Sequence, residues 1–320
     1  MTPDTDSATP PIEASTVIRN IGQLVTVSQQ PIAGAHGPLQ VIPNAAIAVH
    51  HGHIVWIGLD NEAEPMFQHH TGGKQPEIAI VDAQGVVVTP GLVDSHTHLV
   101  FAGDRAEEFH MRRSGVSYGD LLAQGRGILT TMQATRQAST ETLTTLATAR
   151  LESMRLHGTT TVEAKTGYGL DKVTEETCLH IMNNLNVIES NPAYAHNHVR
   201  VVPTFLGAHS VPPEYRDNRD GYVRLIVEEL LPSFAGLARF CDVFCERDAF
   251  TLEESRLILT QAKELGYGLK IHADQLSPSG GARLAAELGA TSADHLDYAS
   301  DADLDALRDA GVVATLLPGC

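Results

Sequence analysis

The chain has 320 residues, 42% hydrophobic and 19% charged, which suits one barrel-sized core plus a small appended domain. Its formal net charge of −17 argues against nucleic acid and anionic membrane surfaces as partners, because both call for basic patches. A small anionic substrate would gain nothing from the overall field and would need a local cation.

Residues 1–15 are rich in Thr, Pro, Ser, Ala and Asp and read as a frayed tail rather than a signal peptide. No apolar stretch reaches the ~20 residues of a membrane span. Residues 16–90 carry short β-rich runs punctuated by Gly and Pro, among them Ala45–Val49, Ile54–Gly58 and Ile78–Val81, and predict a small β-sandwich-like domain. The histidines at 50, 51, 53, 69 and 70 lie in its polar, turn-like stretches and read as surface. The apolar run from Val86 reads as a buried strand ending in Asp94-Ser95-His96-Thr97-His98. Residues i and i+2 of a strand share a face, so His96 and His98 converge, an arrangement suited to two nitrogen ligands on one metal ion.

From residue 91 the pattern becomes strand, loop, helix, glycine, strand. One helix carries Leu143, Ala147, Leu151 and Met154 on a stripe and stops at Gly158 before Thr159–Glu163. Another opens at Thr251 with Glu254 in capping-box spacing, carries Leu257, Ile258, Ala262 and Leu265, and stops at Gly266. Seven strands end near His98, Lys165, His209, Glu246, His272, His295 and Leu317. Repeating units with near-continuous apolar strands predict an α/β fold with a parallel sheet under helices. Four of the seven strands end in histidine, and the strand C-termini of a (β/α)₈ barrel form the active face. The expected architecture is therefore a TIM-like barrel over 91–320, with seven of eight strands present, plus the small N-terminal β domain. A doubly wound open sheet would leave those histidines unexplained.

His272, in Lys270-Ile271-His272-Ala273-Asp274-Gln275, is the natural third ligand. His295 and His209 are candidates for proton transfer or substrate orientation, His295 first, with hydrogen-bonded packing as the competing reading. Arg105, on the loop after the histidine pair, suits bidentate capture of a carboxylate, whereas a surface pairing with Glu107 or Glu108 is the plainer reading. Tyr168 sits between two glycines after a strand, where a ligand can approach the backbone. Lys165 reads as a structural residue or salt-bridge partner of Glu163, with a modified, metal-bridging lysine as the alternative. Cys178, Cys241, Cys245 and Cys320 form no C-x-x-C pair and suit free thiols in a reducing cytosol, Cys241 and Cys245 as core. Asp301, Asp303, Asp305 and Asp309 read as a solvated helix face.

In order, Thr89–Phe101, Arg105, Glu163–Leu170, Thr204–His209, His272–Gln275, Ala293–Leu296 and Ala314–Gly319 resemble the imidazolonepropionase family of the amidohydrolase superfamily. The resemblance runs from about residue 16 to the end. It implies ring opening of 4-imidazolone-5-propanoate to N-formimidoyl-L-glutamate in histidine degradation, with one Zn or Fe ion. His96, His98 and His272 match the family's metal histidines. Arg105, Tyr168, His209 and Gln275 match its substrate contacts, and His295 matches a catalytic histidine. Gln275 stands where some relatives carry Glu and cannot act as a general base. The family's fourth ligand is an aspartate at the end of an eighth strand, in a Thr-Asp-x-Asn-Pro-type motif. This chain stops at Cys320 before that motif and before the strands that complete the small domain. The resemblance thus implies a C-terminally truncated member of a cytoplasmic family that is homodimeric at full length. The alternatives are another amidohydrolase, deaminase or dihydroorotase-like, or an inactive remnant.

Overall fold

Pro90 breaks the apolar run that leads to the histidines, since it offers no N–H to a strand ladder. A computed structural model describes residues 12–66, 78–116, 126–187 and 199–319. In it Val87–Val88 forms one short strand and Leu92–His98 another, in separate sheets. The expected single buried strand is therefore two. Val86, Val87, Leu92 and Val93 are each more than half exposed, because these segments lie at sheet edges. The chain divides between Gly91 and Leu92 into two compact units.

In the first unit, β1 (Thr16–Val25), β2 (Val41–His50), β3 (His53–Leu59) and β4 (Ala79–Asp82) form a sheet in the order β3-β2-β1-β4, and β5 (Val87–Val88) also pairs with β1. The β1–β2 and β2–β3 pairs are antiparallel, while β4 and β5 run parallel to β1. Alternate residues of β2 serve two cores: Ala46 and Ala48 pack with Val17 and Ala63, and Ala45 and Ile47 with Ile21, Leu24 and Ile42. This is the period-two signature of a sheet covered on both faces. His51 and His53 are exposed and His50 half-buried; the pair at 69 and 70 lies outside the described residues.

The second unit is an α/β barrel. Its seven strands are β6 (Leu92–His98), β7 (Thr159–Lys165), β8 (Arg200–Ala208), β9 (Phe240–Cys245), β10 (Gly268–Ala273), β11 (Ser292–His295) and β12 (Val313–Thr315). They are all parallel and lie in sequence order. In a flat sheet β6 and β11 would stand ~24 Å apart, five strand spacings. Instead His96 Nδ1 on β6 lies 2.7 Å from Asp294 Oδ2 on β11, and Lys270 Nζ on β10 donates to Ser95 O at 3.2 Å. The sheet is therefore rolled almost into a closed barrel.

Local signals set the helices between the strands. Ser139 caps Thr140–Leu156, which buries Leu143, Ala147 and Leu151. Thr251 and Glu254 form a capping box on Leu252–Glu264. That helix buries Ser255, Ile258, Leu259 and Ala262, while Leu257, expected on the inner face, is 53% exposed. The 3.6-residue period puts 255, 258, 259 and 262 on one stripe and turns 257 away from it. Ser300 and Asp303 form a second capping box, on Asp301–Ala310, whose Asp301, Asp305 and Asp309 face solvent. Among the described residues no helix is long and apolar enough to cross a membrane.

Candidate metal centre

β6, β10 and β11 each deliver one histidine to the C-terminal mouth of the barrel. One donor atom from each of His96, His272 and His295 lies within 4.8 Å of the others. Their ring centroids are 4.5 Å (His96–His272), 5.1 Å (His96–His295) and 5.3 Å (His272–His295) apart. Nitrogens each ~2.1 Å from one ion lie no more than ~4.2 Å apart, so small ring rotations bring this trio onto a metal. His295 sits in the left-handed region at φ +78°, followed by Leu296 at +68°. Such backbone costs ~1–3 kcal/mol per residue and persists only where neighbours impose it. Here Leu296 N donates to Ala273 O at 3.0 Å and Tyr298 N to Asp274 O at 2.8 Å, pinning the turn to the end of β10.

Beneath the trio lies a buried charge cluster. Lys165 Nζ contacts Asp242 Oδ2 at 2.7 Å, Glu163 Oε1 at 3.0 Å and Asp294 Oδ2 at 3.2 Å. Lys270 Nζ lies 3.6 Å from both Glu163 and Asp294. Asp294 Oδ2 accepts from His96 Nδ1, and Ser292 Oγ donates to its other oxygen at 2.7 Å. Asp242 Oδ2 lies 3.0 Å from His272 Nδ1, obliquely to the ring N–H, so that contact is electrostatic rather than a formed hydrogen bond. Three carboxylates stand against two ammoniums under the histidines, although burial pushes the Glu163 carboxyl up. Burial opposes charge on Lys165, but Asp242, Glu163 and Asp294 more than offset it and raise its pKa. Burial likewise pushes Asp294 up, yet Lys165 and the His96 hydrogen bond hold it well below the usual carboxylate range. Burial takes His96 down to about 4 and His295 to about 3, so both are neutral at pH 7, as nitrogen ligands must be.

His98 turns toward a second group. Its ring stacks on His209 (4.7 Å, 14°) and lies 4.5 Å from Tyr168, whose ring is 5.7 Å from Phe101. His98 Nδ1 and His295 Nδ1 are buried without a hydrogen-bond partner among the described residues. His209 Nδ1 pairs with Gly167 O at 3.0 Å. The Tyr168 loop is gripped from behind by Glu175, fully buried, which accepts from the amides of Gly167 (3.1 Å), Gly169 (2.7 Å) and Leu170 (2.9 Å). A Cβ on residue 169 would fall 2.8 Å from Glu175, which explains the glycine. Glu175→Gln is expected to cost about 1–3 kcal/mol, because its NH2 would stand where Oε2 now accepts from Gly167 N and would set a donor against a donor. Urea denaturation measures that loss, and faster hydrogen exchange at residues 167, 169 and 170 locates it.

Arg105 is exposed at the start of the helix Ala106–Arg113, and no described contact joins it to the histidines. Gln275 is half-buried on the loop after β10, next to Leu276 and Ser277, whose amides donate to Glu246. Lys165 is the expected salt-bridge partner of Glu163, and Cys241 and Cys245 are buried core thiols. Sequence reasoning missed Asp242 and Glu175. For Asp242 a signal existed: it is the lone carboxylate in the apolar strand Phe240-Cys241-Asp242-Val243-Phe244-Cys245. It also missed Arg150, which lies over the Phe101 ring at 3.6 Å and donates to Leu99 O and Phe101 O, fixing the loop after β6.

No protein-family model matches the chain. Among curated proteins it is 50% identical over 308 residues to the imidazolonepropionase of Symbiobacterium thermophilum, covering 95% of this chain and 69% of that protein. It is 48% identical to the imidazolonepropionase of a Geobacillus species (94% and 70% covered) and 45% identical to that of Myxococcus xanthus (94% and 69%). Among solved structures, a Xaa-Pro dipeptidase superposes with a TM-score of 0.59 at 15% identity, covering 93% of this chain and 66% of that one. A 5-methylcytosine deaminase from Klebsiella pneumoniae gives 0.58 at 14%, covering 93% and 64%. The chain thus spans about 70% of the length of these curated relatives and a slightly smaller share of the solved chains. Sharing about half its residues with them along almost its whole length, on an α/β barrel, the chain belongs to the imidazolonepropionase family.

Proposed function

We propose that the chain serves hydrolytic opening of the cyclic amide of 4-imidazolone-5-propanoate, giving N-formimidoyl-L-glutamate in histidine degradation. The observation that carries this reading is the convergence of His96, His272 and His295 over buried carboxylates, in a chain half identical to imidazolonepropionases. One Zn or Fe ion suits the all-imidazole donor set, and when bound it supplies Lewis acidity and a water acidified toward pKa ~7.

In this reading His96, His98 and His272 hold the ion. His98 shares the β6 face with His96, and its buried Nδ1 lacks a partner. His295, neutral at pH 7, offers both a lone pair and an N–H, to take a proton or to steady charge developing on the carbonyl oxygen. Arg105 faces solvent, where it can meet the propanoate carboxylate that the acidic protein otherwise repels. Tyr168 and His209, which lie against His98, and Gln275 are the other substrate contacts in this reading. The clustering of His295 with His96 and His272 favours a second reading, in which His295 is the third ligand and His98 a substrate contact. Bound-metal analysis of His98→Ala and His295→Ala separates the two.

The function is tested by incubating the chain, loaded with Zn²⁺ or Fe²⁺, with imidazolonepropanoate and detecting formimidoylglutamate by mass spectrometry. Metal-dependent formation is the expected result. A folded, metal-loaded chain that leaves the substrate intact overturns the reading.

A further inference from the structure

We propose that Lys165 is a positioning residue for the histidine site. Its ammonium fixes Asp242 and Asp294, and these carboxylates hold His272 and His96 with Nδ1–H turned inward, so that both rings present Nε2 to the ion. The inference rests on the reading that this site binds metal.

The geometry is layered. Lys165, Asp242 and Asp294 come from the alternate strands β7, β9 and β11, whereas His96 and His272 come from β6 and β10. Alternate strands of a parallel barrel fill successive interior layers, so the three charged residues form a floor and the histidines sit against it. An ammonium has three donors, and Lys165 has three carboxylate contacts at 2.7, 3.0 and 3.2 Å with no exposed surface. It has no capacity left for substrate. A modified, metal-bridging Lys165, the alternative raised from the sequence, would lose the charge that these carboxylates face.

The carboxylates carry the effect upward. Asp294 has three partners: Lys165 and His96 meet Oδ2, and Ser292 meets Oδ1. An ionised carboxylate only accepts, so the ring nitrogen 2.7 Å away must be the N–H. Asp242 is oriented from below by Lys165 and by Val243 N at 2.8 Å, and its Oδ2 faces His272 Nδ1. Carboxylates behind metal-binding histidines fix the tautomer and ring orientation, and their loss typically costs ~10–100-fold in metal affinity.

The test has two parts. In the first, histidine-labelled wild-type chain without metal, at about pH 8 where imidazole is neutral, is read by long-range ¹H–¹⁵N NMR. His96 and His272 are expected as Nδ1–H tautomers, and Nε2–H rings would overturn the proposal. In the second, Zn²⁺ affinity is measured by chelator competition for Asp242→Asn, Asp294→Asn and the double variant Lys165→Met with Glu163→Gln, which keeps the net charge of the cluster. A loss of ~10–100-fold is expected in each. Affinities within twofold of wild type in folded variants would overturn it. Should a variant fail to fold, the wild-type tautomers decide. Absence of Zn²⁺ binding by wild type would instead sink the metal-site reading and leave the tautomer result standing.

Discussion

Replacing His272 with alanine is expected to strip the ion from the chain and to lower ring-opening activity by at least about 10³-fold. A metal ion stabilises the charge of a hydrolytic transition state by several kcal/mol, and about 4 kcal/mol corresponds to three decades of rate. Among the described histidines His272 is the hub: its ring lies 4.5 Å from His96, 5.3 Å from His295 and 6.0 Å from His209. The fold should survive, because Asp242, which loses the imidazole, keeps its 2.7 Å contact with Lys165. Metal content, activity and far-ultraviolet circular dichroism of the same preparation check this. Loss of the first two with the third unchanged is the expected pattern, and a variant that keeps wild-type metal content contradicts it.

Lys165→Met carries the largest expected cost in stability, about 3–5 kcal/mol, because it leaves buried carboxylates without their main counter-ion while preserving side-chain volume. Exposed Arg308, paired with Asp305 and Asp309 in solvent, is the control: Arg308→Met should change stability by less than about 1 kcal/mol. Urea unfolding of both variants gives the comparison. The pH dependence should change too. Against the effect of burial, Lys165 helps hold Asp294 well below the usual carboxylate range. Asp294 therefore contributes stability that is fully present above the ordinary aspartate value of ~4 and is lost as the pH falls below it. Without Lys165 the folded-state value rises toward the ordinary one, so this contribution shrinks and the acid-dependent loss becomes shallower.

What was legible in the sequence was local. The glycines that stop helices at 158, 266 and 311, the capping box at Thr251, and the histidines that close strands all act within a few residues of themselves. What stayed hidden depended on closure. Lys165 meets Asp242 across 77 residues, and nothing beside either one marks the pairing. Asp294 looked like a mere neighbour of His295 until the rolled sheet set it against His96. Glu175 is an ordinary first-turn acid by sequence, and only the folded loop before it explains its burial. Leu257 shows the opposite error: apolar character suggested an inward face where the helical period turns it outward. The break at Pro90 was written in the residues, but the apolar run on either side masked it.

The contact between His96 and Asp294 spans 198 positions of the chain and joins the first barrel strand to the sixth. No early fragment emerging during synthesis contains both halves of the ion site. The donor trio comes into being only when the sheet has curled round, after the entropy of that long closure has been overcome. Metal capture at this trio, as proposed above, is therefore expected to follow closure of the sheet. In the proposed reading a metal would latch a barrel that is already assembled, not seed its collapse.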